Sequence, residues 1–108
     1  MDKAIEDYTQ AIDYYLKNPT YFIISRGEVY NLRGCAYLRK KEYFLAISDF
    51  DKAIRIISDK PIFYSNRGTA FYLIKDYSKA LKDFEKVLSI DPNNVKAKNA
   101  KSFLLKNI

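Results

Sequence analysis

Apolar side chains recur along this chain at intervals of three and four, the spacing of a helix with one buried face. Ala4, Tyr8, Ala11, Ile12 and Tyr15 place such a stripe on a helix over residues 1–17. Asn18-Pro19-Thr20 then interrupts the chain. Proline disfavours helical geometry in the residue before it, and threonine can cap the helix that follows. The next helix is expected to begin near Thr20 and run to about Arg39, with a structured loop over 20–27 as the alternative. Gly27 weighs against the early start, because a glycine inside a helix costs about 1 kcal/mol. Further helices are predicted over 43–57, 61–74 and 77–90. Pro61 suits a first helical turn, and Glu42 and Asp76 suit the positive N-terminal ends of the helices behind them. Asp91-Pro92-Asn93-Asn94 is a stop-and-turn signal. It leads into a last helix over 95–108, with Ala97, Ala100, Leu104 and Leu105 inward and Lys96, Lys98, Lys101 and Lys106 largely outward.

A second regularity overlies the helical one. Residues 64–84 repeat residues 30–50 without a gap, 34 positions on. Tyr64, Arg67, Gly68, Ala70, Lys75, Tyr77, Ala80, Asp83 and Phe84 answer Tyr30, Arg33, Gly34, Ala36, Lys41, Tyr43, Ala46, Asp49 and Phe50, with Phe71 for Tyr37 and Asp76 for Glu42. A fixed period of this length signals an array of supersecondary units. The small residues Gly34, Ala36, Ala46, Gly68, Ala70 and Ala80 allow close approach of helix axes, and the aromatics fill the space between. Lys3 to Tyr8 (KAIEDY) lies on the segment ending at Phe50 when shifted by 42, and on KALKDF ending at Phe84 when shifted by 76. The chain therefore opens on the second helix of a repeat whose first helix is absent. A cut from a longer array and a natural start on an unpaired helix are both open. The longer first spacing leaves eight extra residues, roughly two helical turns.

The repeat resembles the tetratricopeptide (TPR) pattern W-x2-L-G-x2-Y…A-x3-F…P. Tyr64, Gly68, Phe71, Ala80, Phe84 and Pro92 stand at the Trp, Gly, Tyr, Ala, Phe and Pro places; Tyr30, Gly34, Tyr37, Ala46 and Phe50 do so in the earlier copy. Ser58 replaces the proline there, and Arg33 and Arg67 replace the leucine. The resemblance implies an all-α, right-handed solenoid of helical hairpins, about two and a half repeats plus a C-terminal capping helix. Its expected parts are an unpaired helix at 1–17, an inserted linker or early helix at 18–26, repeats at 27–60 and 61–94, and a cap at 95–108.

The resemblance also implies a function. In TPR arrays the first helices line a concave groove that takes a peptide or partner segment. Residue by residue, that face falls on Glu28, Asn31, Cys35, Leu38 and Arg39, then on Ile62, Ser65, Asn66, Thr69, Tyr72 and Leu73, then on Lys96 and Asn99. The expected binding residues are Asn31, Cys35, Arg39, Ser65, Asn66, Thr69, Tyr72 and Lys96. Asparagine amides can both donate to and accept from an extended peptide backbone. Some family members grip the C-terminal carboxylates of heat-shock chaperones through a five-residue clamp. Asn66 and Lys96 match two of its places, whereas Asn31, Cys35 and Ala100 stand where Lys, Asn and Arg would. Missing cations would cost such a clamp much of its charge-assisted bonding.

Composition narrows the field. Hydrophobic residues make up 48% and charged residues 30% of the 108, a globular balance that a disordered chain lacks. There is no histidine and one cysteine, Cys35, so neither a metal motif nor an internal disulfide can be assembled, and no cofactor is expected. Cys35 has no histidine to activate it, and no phosphate-cradling loop is present, so no enzyme activity is expected. The acids Asp49, Asp51, Asp83 and Glu85 read as solvated helix surface. A lone cysteine fits a reducing, cytoplasmic setting. No apolar run approaches the ~20 residues of a membrane span, and the N-terminus does not read as a signal peptide. The net charge of +6 raises single-stranded RNA as an alternative partner. Yet Lys52, Lys82 and Lys86 share helices with acids, which argues for ordinary surface. Self-association, as a homodimer through the first helix and the apolar stretch 14–24, is the other alternative.

Overall fold

The computed structural model describes residues 2–18 and 23–107, and among these it is all-α. The helices are α1 (Lys3–Lys17), α2 (Ile23–Arg39), α3 (Tyr43–Ile56), α4 (Pro61–Leu73), α5 (Tyr77–Ile90) and α6 (Val95–Asn107). No strand occurs among the described residues. The helices group into two compact units, Met1–Ser58 and Asp59–Ile108.

In the first unit α2 packs against both α1 and α3. Asp2 caps α1, its carboxylate accepting from the amides of Ala4 (2.8 Å) and Ile5 (3.4 Å). The residues α1 buries are Ile5 and Ile12. Ala4, Tyr8, Ala11 and Tyr15, expected to carry the inward stripe, stay partly open. Ile5 and Ile12 lie seven apart, two turns along one narrow seam, so the buried face is narrower than the apolar stripe. The expected Thr20 cap and the apolar residues Tyr21 and Phe22 lie outside the described residues. From Ile23 the chain is helical, so Gly27 sits inside α2. A Cβ on Gly27 would come within 2.9 Å of Ile57 Cδ1, the movable end of that side chain.

The hairpins α2–α3 and α4–α5 repeat one packing scheme. Gly34 faces the ring of the fully buried Phe50, and Gly68 faces Asp83 and Phe84. Beside each contact runs a two-pronged ion pair between the helices. Arg33 donates from Nε and Nη2 to the two carboxylate oxygens of Asp49, both at 2.7 Å. Arg67 does the same to Asp83 at 2.9 and 2.7 Å. Asp49 and Asp83 are therefore not solvated surface acids: they are 1% and 4% exposed. Burial is tolerable because every prong meets a carboxylate oxygen in the fork geometry that guanidinium favours. The guanidinium carbon of Arg33 also lies 5.8 and 5.7 Å from the ring centres of Tyr30 and Tyr37; that of Arg67 lies 5.8 Å from Tyr64 and from Phe71. These contacts are electrostatically favourable at such range. The hydrogen bonds that Arg33 donates to the Asp49 carboxylate raise the Arg33 pKa above its ordinary value despite the opposing effect of burial. Arg33 also donates to Thr9 Oγ1 at 3.1 Å, tying α1 to the pair.

The first helix of each hairpin ends in the same way. Lys41 and Lys75 take positive φ, 63° and 66°. The next amides, of Glu42 and Asp76, reach back to the carbonyls of Tyr37 and Phe71 at 2.9 Å. This is the left-handed C-terminal cap that glycine usually occupies. A side chain in this region is strained, whereas glycine carries more entropy in the unfolded chain. We expect Lys75→Gly to raise the unfolding free energy by about 0.5–1 kcal/mol, measured by urea titration.

In the second unit Pro61 occupies the first turn of α4. Asp76 caps α5, accepting from the Lys79 amide at 3.3 Å, whereas Glu42 makes no side-chain cap bond to α3 and offers only its charge. Asn94 caps α6 by accepting from the Ala97 amide at 2.9 Å. Ala97 and Leu104 are buried against the unit's core. Leu105, expected inward, is exposed, because one helical step from Leu104 turns it about 100° away. Phe103 is exposed too, so the outer side of α6 is less polar than its lysines suggest.

Candidate binding cleft on the second unit

In the second unit, α4 and α6 both pack on α5 and leave a cleft of about 320 Å³ between them. Thr69 and Tyr72 form its α4 wall, and Lys96, Asn99, Ala100 and Phe103 its α6 wall. Phe84 of α5 and Leu104 lie beneath, both nearly inaccessible. The α6 residues follow the spacing i, i+3, i+4, i+7, so they share one helix face. Ala100 lacks a side chain long enough to close the space. Tyr72 is anchored at the edge by two rings, with its centroid 6.0 Å from Phe103 and 5.7 Å from Tyr77. Such contacts hold an exposed aromatic in place at little entropic cost.

The polar groups sit on the rim. Thr69 donates its hydroxyl to the Ser65 carbonyl at 2.9 Å, which fixes its rotamer and leaves the oxygen as an acceptor. Lys96 and Asn99 are exposed. Lys96 has no carboxylate partner among the described residues, unlike Lys101, which lies 3.6 Å from Glu85. The result is an apolar floor with an aromatic at one edge and an amide and a free cation at the other. Ligand sites are commonly built in this way, with apolar walls for affinity and a few polar groups for orientation.

Of the binding residues expected from the sequence, Thr69, Tyr72 and Lys96 come together here. Ser65 is 5% exposed, so its side chain has little surface to offer. Asn66 is half-buried and already has an interaction partner. In the first unit, Asn31 is 7% exposed, Cys35 is half-buried and not in a disulfide, and Arg39 is exposed. Asn31 and Ser65 occupy equivalent positions 34 apart and are hidden alike. Sequence reasoning missed Phe103, which was masked by the lysines around it; its spacing of seven from Lys96 was the available signal. Among the described residues no cluster of ligating side chains could hold a metal ion, and no helix is long and apolar enough to cross a membrane.

Comparison with known proteins bears on the repeat itself. Two models of the tetratricopeptide repeat match the chain, one over residues 27–60 and one over 61–94. No curated protein sequence gives a significant match. Similar solved structures include the Arabidopsis OM64 TPR domain, 26% identical, with a TM-score of 0.74 and 98% of each chain covered. The first TPR of Spaghetti (RPAP3), bound to the HSP90 peptide SRMEEVD, is 24% identical with a TM-score of 0.73, over 98% of this chain and 94% of that one. The second TPR domain of human RPAP3, in complex with the HSP70 peptide SGPTIEEVD, is 22% identical with a TM-score of 0.72, over 96% and 97%. With two adjoining matches spanning well over half its length, and helical hairpins that repeat residue for residue, this chain belongs to the tetratricopeptide repeat family.

Proposed function

We propose that the chain is a non-catalytic protein–protein interaction module that takes a peptide or partner segment along its first helices, with the α4–α6 cleft as the principal contact. The observation that carries this reading is the convergence of Thr69, Tyr72 and Lys96 on one cleft with an apolar floor. Similarity to domains solved with HSP90 and HSP70 peptides supports a peptide as the ligand class. The free Lys96 ammonium favours a segment with an acidic residue beside an apolar one. Asn31, Cys35 and Arg39 on α2 of the first unit, and Ser65 and Asn66 on α4 of the second, are proposed as secondary contributors. A chaperone tail is a weak ligand in this account, because Ala100 and Cys35 stand at two polar places of the clamp.

The test is selection from a displayed peptide library, with SRMEEVD as a fixed reference, followed by calorimetric titration. Tyr72→Ala and Lys96→Gln are each expected to weaken the selected peptide by about 1–2 kcal/mol, roughly tenfold. A selected peptide that binds both variants as tightly as the native chain would place the site elsewhere.

A second reading, self-association through α1, is favoured by the exposure of Tyr14 and Leu16, both more than half accessible. It predicts a dimer in light scattering that Leu16→Glu converts to monomer; a native chain that is monomeric throughout would remove it.

A further inference from the structure

The first unit holds a second cavity, of about 270 Å³, lined by Arg26 and Tyr30 of α2, Lys52, Arg55 and Ile56 of α3, and Leu16 of α1. Three of its six lining residues are cations and none is an acid. Arg26, Lys52 and Arg55 make no ion pair with a carboxylate among the described residues, in contrast to Arg33, which is fully matched by Asp49. Arg26 carries a further sign of incompleteness: its Nε is buried and has no hydrogen-bond acceptor among the described residues. Buried donors are nearly always satisfied, so an orphan of this kind points to a missing acceptor. Residues 18–25 contain no aspartate or glutamate to neutralise these cations.

We infer that this cavity binds a phosphate monoester carried on a side chain of a partner polypeptide. A dianion with three terminal oxygens matches three converging cations, two of them with the planar fork that bonds phosphate in pairs. A single carboxylate would leave most of the positive charge unbalanced. The Lys52 ammonium lies 5.6 Å from the Tyr30 ring centre, which holds it at the cavity without neutralising it. Leu16 and Ile56 supply apolar wall for the residues next to the modified one. The site lies in the other unit from the α4–α6 cleft, so either can fail alone.

The experiment is nuclear magnetic resonance titration of the isotope-labelled full chain with a short phosphoserine peptide at low salt. Controls are the same peptide with serine, the same peptide with aspartate, and sodium chloride at matched ionic strength. Saturable shifts are expected at the amides of Arg26, Tyr30, Lys52 and Arg55, absent with serine and at least about tenfold weaker with aspartate. Arg55→Gln, at an exposed position, should weaken the phosphopeptide about tenfold while leaving thermal unfolding unchanged, and Lys52→Gln should act in the same direction. Shifts reproduced by salt alone would overturn the inference. So would equal affinity for the aspartate peptide, indifference to both variants, or tighter binding to phosphoinositide vesicles than to the peptide.

Discussion

Asp49→Ala is expected to lower the unfolding free energy by about 3–5 kcal/mol, the largest effect of any single substitution considered. The magnitude follows from what remains behind. The Arg33 side chain is 14% exposed and sends two prongs to Asp49, whose own side chain is 2% exposed. Without the carboxylate, a charged guanidinium stays largely buried, and the neighbouring Tyr30 and Tyr37 rings replace little of the loss. A domain of this size has only about 5–15 kcal/mol in total, so the variant should be marginally folded at best. Asp83→Ala should cost less, because the Arg67 side chain is 22% exposed and can turn toward water more readily. The double variant Arg33→Met with Asp49→Leu is expected to recover most of the loss, since a well-packed apolar pair often matches a buried ion pair. Urea unfolding of the four proteins checks the ranking. A cost for Asp49→Ala below about 1 kcal/mol would mean that the pair behaves as a surface bridge.

Gly34→Ala is the second large expectation, and its sign is opposite to what helix propensity alone would give. Propensity favours alanine by about 1 kcal/mol in a helix interior. The added Cβ, however, would lie 2.6, 2.8 and 3.0 Å from three atoms of the Phe50 ring. That ring is fully buried and cannot swing aside. Overpacking of this kind costs about 1–3 kcal/mol, and with contacts this short the upper end applies, so the net effect should be destabilising by up to about 2 kcal/mol. Gly68→Ala meets its nearest atoms at 3.1 Å, a distance that a shift of a few tenths of an ångström relieves. There propensity and strain should nearly cancel. Leucine at Gly68 should be clearly destabilising. Equal effects of Gly34→Ala and Gly68→Ala would show that the two hairpins do not differ in closeness as described.

The contrast between these two pairs also shows what the sequence made legible. The period of 34 located both hairpins and the glycines at their contacts, because identical packing leaves identical small residues. Asp49 and Asp83 were misread, because an acid in a helix that also carries cations looks solvated when helices are read one at a time. Their partners lie on another helix, and the signal was the joint recurrence of Arg33 with Asp49 and Arg67 with Asp83. Leu105 was misplaced because an apolar pair at adjacent positions cannot both face one seam. At the cleft, Thr69, Tyr72 and Lys96 were legible through the register of the repeat. Phe103, 34 positions after Thr69, falls in the same register, but the lysines around it make the helix look like a polar cap. Asn31 and Ser65 fell on the expected face, yet burial depends on neighbours that a stripe on a helical wheel does not reveal.

The cleft is the part of the account on which function depends. Intermolecular nuclear Overhauser contacts between a library-selected peptide and the labelled chain test it most directly. Contacts to the Tyr72 ring, the Phe103 ring and the Lys96 side chain are predicted. Contacts confined to α1 and α3, with the Tyr72 and Phe103 rings untouched, would contradict it.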